Sequence, residues 1–517
     1  MRQLTSPVTD WLQTHRRLHL PALLLAALIV RVQALSHFAL VTEGWREADN
    51  ASLAMNFLRH GFDLLHPQIY WGGNGPGYVE MEFPLVQFVT AGLYKLFGVH
   101  EILGAVVPVF SALVLVVTVY ALGSHFFNSA AGFIAAMITA VSPPLAMYSS
   151  AFMVDPPMIM FSTLAVYCFA RWLESEHWAQ LLMSGLAMAL AIMLKPTAMI
   201  TGVPILFLFF TRYGVSALFR PRVILYGLIC LLPPVLWYFH AHLIYEESRN
   251  TFGILMGGMK KFATKEVLLD PQFYALTFFR ISVFHVTPVA FCFMIPGALV
   301  RHQEKRRYVF HVWFFALLAS IIAVATGAMY GQYYLLAFVV PGSILAGVGM
   351  LRLFSMLYSR FNPGKSSNIA AVVVSVTTVV FLVAVIGATY LLEQRRKPLV
   401  AYWEREKSSG ELVGQITRPG SLIIVANSQM NGLLPDQIMT PPEVFYFSDR
   451  RGWYLAISWV EENLIQRLRE EGAQYFVVSG TYVGGFKETK ATVYDYLRTR
   501  YHVVVDNDHA FVVDLRN

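Results

Sequence analysis

The sequence predicts a polytopic α-helical membrane protein that carries a soluble α/β domain at its C-terminal end. Of the 517 residues, 56% are hydrophobic and only 14% are charged, whereas soluble domains have about 25% charged residues. Apolar stretches long enough to cross a bilayer recur as far as residue 392. Residues 393–517 instead alternate short apolar strands with amphipathic helices. We therefore predict a membrane domain over 1–392 and an α/β domain over 393–517.

About eleven apolar stretches have the length of roughly 17 to 22 residues that a membrane span requires. They lie near residues 19–40, 102–122, 128–147, 154–172, 178–194, 197–212, 222–242, 280–300, 308–327, 331–351 and 368–392. The segment Pro84 to Gly98 is shorter and contains Lys95. It fits an interfacial helix, and a re-entrant or spanning arrangement stays open.

The basic residues between the spans predict their orientation. They collect in every second connection, most densely at 301–307, and cytoplasmic connections are the ones enriched in Lys and Arg. The N-terminus is then cytoplasmic, and the C-terminal domain lies on the periplasmic or extracellular side. The net charge of +7 follows from this distribution and does not indicate a nucleic-acid partner.

The same orientation puts a polar segment, residues 41–101, on the outer face. Its carboxylates are Glu43, Glu47, Asp49, Asp63, Glu80 and Glu82. Because lipid leaves charged groups unsatisfied, such a segment must lie in water or line a cavity, and we interpret it as a catalytic loop. Asp49 suits a general base, and a solvated loop carboxylate is the alternative. A second outer connection, 243–279, has the length of a lid or binding loop.

Two ionisable residues interrupt later apolar runs on the outer side. Asp155 precedes Pro156-Pro157, which fits a helix cap as well as a residue that positions a substrate. Lys195 precedes Pro196, and an ionisable group at that depth is a functional candidate, with snorkelling to the interface as the alternative. Lysine meets a phosphate as a point charge. Arg46 and Arg280 are further candidates for that task.

Glu80 and Glu82 stand two residues apart, so in an extended segment both side chains point the same way. With His66 nearby in sequence they form a conceivable divalent-metal site. The spacing is not diagnostic, so we assign no metal and no other cofactor, and a metal requirement stays open.

The C-terminal domain has a regular α/β pattern. Residues 421–426 and 475–478 read as buried strands, 459–471 and 489–500 as helices, and 502–506 with 510–515 as a closing hairpin. Met430 to Gly452 is predicted to be irregular and to face the membrane domain.

Several of these features occur together in one known group of enzymes. They are the acidic residue after the first span, the Asp155-Pro156-Pro157 helix start, the span-end Lys195, and the run from Tyr333 to Pro341. Over residues 20–350 the chain resembles the GT-C glycosyltransferases of the protein O-mannosyltransferase and aminoarabinose-transferase (PMT/ArnT-like) group. The resemblance implies about 11–13 transmembrane helices. It also implies inverting transfer of a sugar from a polyprenyl-phosphate donor to an acceptor on the non-cytoplasmic face.

The resemblance also implies roles for individual residues. Asp49 matches the carboxylate taken as the base for the acceptor, Asp155 matches the second acidic position, and Lys195 matches the contact to the lipid phosphate. The residues implied on the sugar and acceptor side are Glu80, Glu82, Tyr333 and Tyr334. The Glu80–Glu82 register departs from the acidic-basic-Pro-Pro pattern of the aminoarabinose branch, because the basic residue is missing and Phe83 replaces one proline.

The Asp-Glu pair of the mannosyltransferase branch is replaced here by Glu47-Ala48-Asp49-Asn50. This difference favours a bacterial inner-membrane enzyme that uses undecaprenyl phosphate, with a lipid such as lipid A, another glycan or a protein as acceptor.

Three other functions stay open at this point. A lipid-linked glycan ligase or polymerase shares the expected donor chemistry. A secondary transporter usually has repeat symmetry and midplane sites on broken helices, whereas no repeat is visible here and the charges collect at the outer rim. A scaffold whose C-terminal domain binds a partner is the third alternative.

Overall fold

The computed structural model describes residues 12–35, 44–253, 261–360, 366–427 and 442–516. Up to residue 416 the regular secondary structure is helical, with isolated β-bridges in the segment between Arg59 and Leu85. The α-helices are His19–Leu35, Gly44–Arg59, Leu85–Phe97, Val106–Phe126, Ser129–Ala140, Pro143–Ser149, Asp155–Ser175, Trp178–Leu194, Gly202–Tyr213, Pro221–Ser248, Lys265–Leu269, Pro271–Phe279, Pro288–Ala298, Val309–Ala323, Ala325–Tyr330, Val339–Arg360 and Ser366–Ile416.

Fewer helices than predicted meet the requirements of a membrane span. Within the described residues, six are long and apolar enough, or eight if each of two bent helix pairs counts as one span. The helices Asp155–Ser175, Trp178–Leu194 and Gly202–Tyr213 lie where three further spans were predicted. Much of the surface of the helix Asp155–Ser175 is buried by neighbouring helices. A helix that contacts protein instead of lipid can carry polar residues within a membrane.

Two of the spans are broken. Ser129–Ala140 and Pro143–Ser149 meet at 60°, and Pro143 and Pro144 follow the break. Pro271–His285 and Pro288–Ala298 meet at 101°, with a π-helical turn at Arg280–His285 and Pro288 after it. Proline lacks the N–H that continues a helix, so breaks of this kind occur in front of it.

The polar segment 41–101 is not a continuous loop. Gly44–Arg59 forms a helix, named here the acidic helix, in which Glu47, Asp49 and Asn50 are buried. The helix Leu85–Phe97 lies where the interfacial helix was predicted. Glu43 lies outside the described residues. Asp49 therefore stands on a packed helix, which restricts its side chain more than a loop would.

The helix Ser366–Ile416 has 51 residues and runs unbroken through the predicted domain boundary at 392/393. Beyond it lies the sheet domain, residues 417–516, whose strands are β1 Leu422–Asn427, β2 Arg451–Ala456, β3 Tyr475–Ser479, β4 His502–Asp506 and β5 Ala510–Asp514. Its helices are Pro442–Ser448, Glu462–Glu470, Val483–Thr489 and Ala491–Arg500. The order is β2-β1-β3-β5-β4, with β1 parallel to β2 and β3 and with β5 antiparallel to β3 and β4.

Four of these strands and the two longer helices confirm the sequence prediction. Strand β2 was missed, because it begins at the end of the segment predicted to be irregular. Of that segment, residues 430–441 lie outside the described residues.

The edge strand β2 joins the sheet domain to the polar segment. Gly73 N–H donates to the Gly452 carbonyl at 2.7 Å, and Gly452 N–H donates to the Tyr70 carbonyl at 3.0 Å. Next to these bonds, Arg59 makes a two-pronged ion pair with Asp449, at 2.6 and 3.0 Å. The sheet domain is thus bonded directly to the segment that follows the acidic helix.

Close contact between glycines packs two membrane helices together. A Cβ atom added at Gly297 would lie 1.9 Å from the carbonyl oxygen of Leu345, and one added at Gly349 would lie 1.9 Å from that of Phe293. The helices Pro288–Ala298 and Val339–Arg360 therefore touch backbone to backbone, an arrangement that only the smallest residues allow.

We expect Gly297→Ala to destabilise the protein, because the added methyl group must push these two helices apart. Overpacking of this kind costs about 1–3 kcal/mol, to be measured as thermal unfolding in detergent. The matched control is Gly387→Ala, where an added Cβ meets nothing within 4 Å and the expected change is within about 0.5 kcal/mol. Equal effects of both substitutions would contradict the close contact.

Candidate active site

A buried ion pair lies at the centre of the site. Lys195 Nζ donates to Asp155 Oδ1 at 2.6 Å, and the two residues are only 4% and 0% exposed. Asp155 is the first residue of its helix, and Val154, not Asp155, is the N-cap residue. The helix-cap alternative for Asp155 and the snorkelling alternative for Lys195 are therefore both wrong.

Lys195 lies at the end of a helix for a local reason. The helix Trp178–Leu194 stops one residue earlier, and Lys195 has extended backbone angles, φ −162° and ψ 122°. A residue before proline is pushed out of the helical region by the proline ring, and Pro196 follows here. The helix therefore ends at Leu194, and the Lys195 side chain that follows it is buried among the helices.

Two tyrosines cover the ion pair. The ammonium of Lys195 lies 4.4 Å from the ring centre of Tyr333 and 4.5 Å from that of Tyr334. The guanidinium of Arg46, from the acidic helix, lies 5.0 Å from the ring of Tyr333. Cations are attracted to the faces of aromatic rings, so Tyr333 gathers two of the predicted phosphate-binding residues, and Tyr334 lies beside them.

Two polar atoms around the ion pair have no hydrogen-bond partner in the described part of the chain. Asp155 Oδ2 and Arg46 Nε are buried and have no hydrogen-bond partner among the described residues. Burial alone would lower the pKa of Arg46, but Tyr333, Glu82 and Asp155 together raise it. Arg46 is therefore a permanent cation within electrostatic reach of the Asp155 carboxylate. The site offers both a donor and an acceptor to a ligand.

Asp49 is on the same helix as Arg46, three residues further along. It is 3% exposed, and Trp71 Nε1–H donates to its Oδ1 at 3.0 Å. Burial raises the pKa of Asp49 to about 7, although the Trp71 hydrogen bond and the charge of Arg46 lower it. A carboxyl group that titrates near neutral pH is suited to accept a proton.

The two glutamates differ in their surroundings. Thr251 Oγ1 donates to Glu80 Oε2, and Glu80 N–H donates to the Asn250 carbonyl at 3.0 Å. Glu80 thus fastens the second outer connection to the polar segment. Glu82 is also buried and contributes to the electrostatic potential at Arg46.

Lys261 is a residue near the site that the sequence did not single out. Its Nζ donates to the carbonyls of Phe252 and Gly253 at 3.0 and 2.9 Å. Burial lowers the pKa of Lys261 to about 8, Glu82 opposes this shift, and Arg46 adds to it. In the sequence Lys261 is one of several charges in a long outer connection, and no pattern marks it.

Glu443 in the sheet domain was also missed. It is 1% exposed, and neither of its carboxyl oxygens has a hydrogen-bond partner among the described residues. Burial raises its pKa well above the usual range, with smaller contributions from Glu406 and Asp49. The sheet domain therefore brings a buried carboxyl group within electrostatic reach of Asp49.

Two other candidates have different partners. Arg280 donates to the carbonyls of Ala328 and Met329 at 2.9 and 3.0 Å, which fixes the chain just before the tyrosine pair. His66 Nδ1 lies 2.6 Å from Asp63 Oδ2 on the exposed surface. Over the residues that the structure covers, no three His, Cys, Asp or Glu side chains are arranged to hold a metal ion.

We expect Asp155→Leu to destabilise the protein strongly, because it leaves the buried Lys195 ammonium without its counter-ion. Removing one partner of a buried pair costs about 3–5 kcal/mol. The double variant Asp155→Leu/Lys195→Met should recover most of this loss, since two apolar groups replace the pair. Thermal unfolding of Asp155→Leu, Lys195→Met and the double variant in detergent measures the coupling free energy between the two residues. A single variant as stable as the wild type would contradict the buried pair.

Comparison with known proteins agrees with this architecture. The family described as dolichyl-phosphate-mannose-protein mannosyltransferase matches residues 81–238, which include Glu82, Asp155 and Lys195. No curated protein sequence matches the chain significantly.

Solved structures match over almost the whole chain. ArnT from Cupriavidus metallidurans in the apo state has a TM-score of 0.61 and 16% identity, covering 98% of both chains. The same protein bound to undecaprenyl phosphate has a TM-score of 0.60 and 14% identity, covering 95% of this chain and 97% of that one. The oligosaccharyltransferase AglB from Archaeoglobus fulgidus, in complex with an inhibitory peptide and a dolichol-phosphate, has a TM-score of 0.57 and 13% identity, covering 91% and 70%. The chain is therefore a membrane protein of the GT-C glycosyltransferase fold, and the resemblance stated from its sequence is confirmed.

Proposed function

We propose that the protein is an inverting glycosyltransferase that moves a sugar from a polyprenyl-phosphate donor to an acceptor. The observation that carries this proposal is the grouping of a carboxyl with a pKa of about 7, Asp49, with two cations that share the ring of Tyr333. A base and a cationic pocket for a leaving phosphate are what such a transfer requires.

An apolar cleft beside the cations supports a lipid-linked donor. Its walls include Met158, Trp313, Leu317, Ile321 and Tyr334. Tyr334 also covers the ammonium of Lys195 at 4.5 Å, so the cleft begins where the charged group ends. An isoprenoid chain in the cleft would bring its phosphate to Lys195 and Arg46. The similar ArnT is bound to undecaprenyl phosphate, which supports a carrier of this class.

The reaction follows from these positions. Asp49 takes the proton from the acceptor hydroxyl or amine while the acceptor atom attacks C1 of the sugar. The bond between C1 and the phosphate oxygen breaks, and the phosphate leaves with the electron pair. Lys195 and Arg46 meet the charge that develops on this oxygen. Attack opposite the leaving group inverts the configuration at C1, and no nucleotide sugar takes part.

The finer assignments belong to the same proposal. The donor is undecaprenyl-phosphate-linked, and the acceptor is a lipid, a glycan or a protein. Glu80, Glu82 and the tyrosine pair line the sugar and acceptor side. The protein lies in a bacterial inner membrane with a cytoplasmic N-terminus and a membrane domain over 1–392. The domain over 393–517 lies in the periplasm and faces the acceptor.

The similarity to an archaeal oligosaccharyltransferase favours one second candidate, the transfer of a preassembled lipid-linked glycan. The two candidates differ in the size of the donor's sugar. A panel of polyprenyl-phosphate monosaccharides and oligosaccharides separates them, because only one class should be consumed.

We expect Asp49→Asn to reduce transfer by about 10²–10⁴-fold, the usual contribution of a general base. The measurement is sugar transfer from synthetic polyprenyl-phosphate sugars by the purified protein. Asp63→Asn is the matched control, because Asp63 is an exposed carboxylate in the same polar segment and its loss should leave the rate unchanged. A fully active Asp49→Asn protein would assign the base to another residue. No consumption of any donor by the wild type would refute the glycosyltransferase proposal.

The rate should rise with pH through about 7, because only the deprotonated form of Asp49 accepts a proton. Trp71→Phe removes a hydrogen bond that stabilises the carboxylate, so it raises the pKa and moves this limb to higher pH by roughly one unit. The pH–rate profiles of the wild type and Trp71→Phe measure the shift. Trp459→Phe, at an exposed tryptophan of the sheet domain, should leave the profile in place. An unshifted Trp71→Phe profile would show that another group controls the rate.

A further inference from the structure

A second apolar cavity lies at the opposite end of the helical bundle from the Asp155–Lys195 pair. We call it the rim cavity, and its walls include Phe169, Trp172, Leu181, Ile205, Phe209 and Tyr226. Trp172 is on the same helix as Asp155, about 25 Å further along at 1.5 Å per residue. No described residue lines both the rim cavity and the cleft proposed for the donor.

The rim cavity opens on a surface that faces lipid. Side chains around it that are 37% to 53% exposed are Leu182, Leu206, Phe210 and Leu228. The helix that forms one side, Pro221–Ser248, is a candidate membrane span that is mostly unburied by protein. An exposed apolar surface of this extent is stable in contact with acyl chains and not with water.

Arginines stand at the mouth of the rim cavity and are tied to its walls. The guanidinium of Arg220 lies 5.2 Å from the ring centre of Tyr213. That ring packs in turn on Trp172 at 5.9 Å and on Phe209 at 5.5 Å. Arg222 is held similarly over the ring of Trp178, at 5.2 Å. The positive charges are thus positioned relative to the apolar walls.

The carboxylates at this mouth do not balance the arginines. Glu176 accepts a hydrogen bond from Tyr213 Oη at 3.0 Å and lies 3.7 Å from Arg222, while Glu174 pairs with Arg306. Arg212 interacts with the side chain of Tyr213, as Arg220 does. Neither arginine has a carboxylate within 4 Å in the part of the chain that the structure describes. Two cations therefore remain for a ligand.

We propose that the rim cavity binds an anionic phospholipid, with an acyl chain against its apolar walls and the phosphate at Arg212 and Arg220. A guanidinium group can donate two parallel hydrogen bonds to the oxygens of one phosphate. Basic residues at a membrane surface favour the binding of anionic lipids. The uncompensated charge is what distinguishes this site from an ordinary lipid-facing groove, which takes any acyl chain. The proposal does not depend on the glycosyltransferase function.

The test is native mass spectrometry of the purified full-length protein in detergent, titrated with phosphatidylglycerol or with phosphatidylcholine of the same acyl chains. We expect one phosphatidylglycerol to bind at least about tenfold more tightly than phosphatidylcholine. The variant Arg212→Gln/Arg220→Gln should lose this preference. Ile205→Trp should weaken binding of both lipids, because the larger ring fills the cavity without changing its charge.

Two control variants locate the bound lipid. Arg16→Gln/Arg17→Gln removes two exposed cations in front of the helix His19–Leu35, which does not line the rim cavity. This variant should keep the preference, so an equal loss in it would indicate non-specific attraction and overturn the site. The double variant Asp155→Leu/Lys195→Met, which removes the cation of the donor cleft together with its counter-ion, should also keep the preference, and its loss there would place the bound lipid in the donor cleft. Equal binding of the two lipids by the wild type would overturn the proposal outright. A cooperative thermal unfolding transition without added lipid shows that each variant is folded.

Discussion

The buried pair of Lys195 and Asp155 is the constraint on which the rest of the site depends. Two charges at 2.6 Å in an apolar bundle are stable only together, since either one alone would carry an uncompensated desolvation cost. The pair fixes the end of one helix against the start of another. The tyrosines cover it, and Arg46 joins it across Tyr333. The grouping of cations that suits a phosphate ligand therefore follows from one packing requirement.

The sequence predicted the parts of this arrangement that depend on hydropathy and charge. An ionisable residue in an apolar run is conspicuous, so Asp155 and Lys195 were found, and counting spans put them on the same side as Asp49. Four of the five strands of the sheet domain were predicted, because each of these is a short apolar run between turn residues. Within the described residues, fewer helices have the length and hydropathy of a span than the apolar runs predicted, partly because Trp178–Leu194 and Gly202–Tyr213 are short.

The remainder depends on contacts between segments that are distant in sequence. Lys261 and Glu443 belong to polar stretches in which many charges are solvated. Only the folded chain shows that Lys261 is half-buried and Glu443 fully buried near the site. The acidic helix was not predicted to be helical for a related reason. Its polar residues face protein instead of water, so hydropathy does not reveal the buried face.

The docking of the sheet domain connects these contacts to the chemistry of Asp49. Tyr70 and Gly73 are bonded to Gly452 of strand β2, and Trp71 lies between them and donates to Asp49. The same segment therefore holds the sheet domain with its backbone and the carboxylate with a side chain. Because burial raises the pKa of Asp49 and the Trp71 hydrogen bond lowers it, the pKa near 7 is a balance that depends on the docked sheet domain. Asp49 in turn raises the pKa of Glu443 in the sheet domain, so the two buried carboxyl groups interact across the docked surfaces.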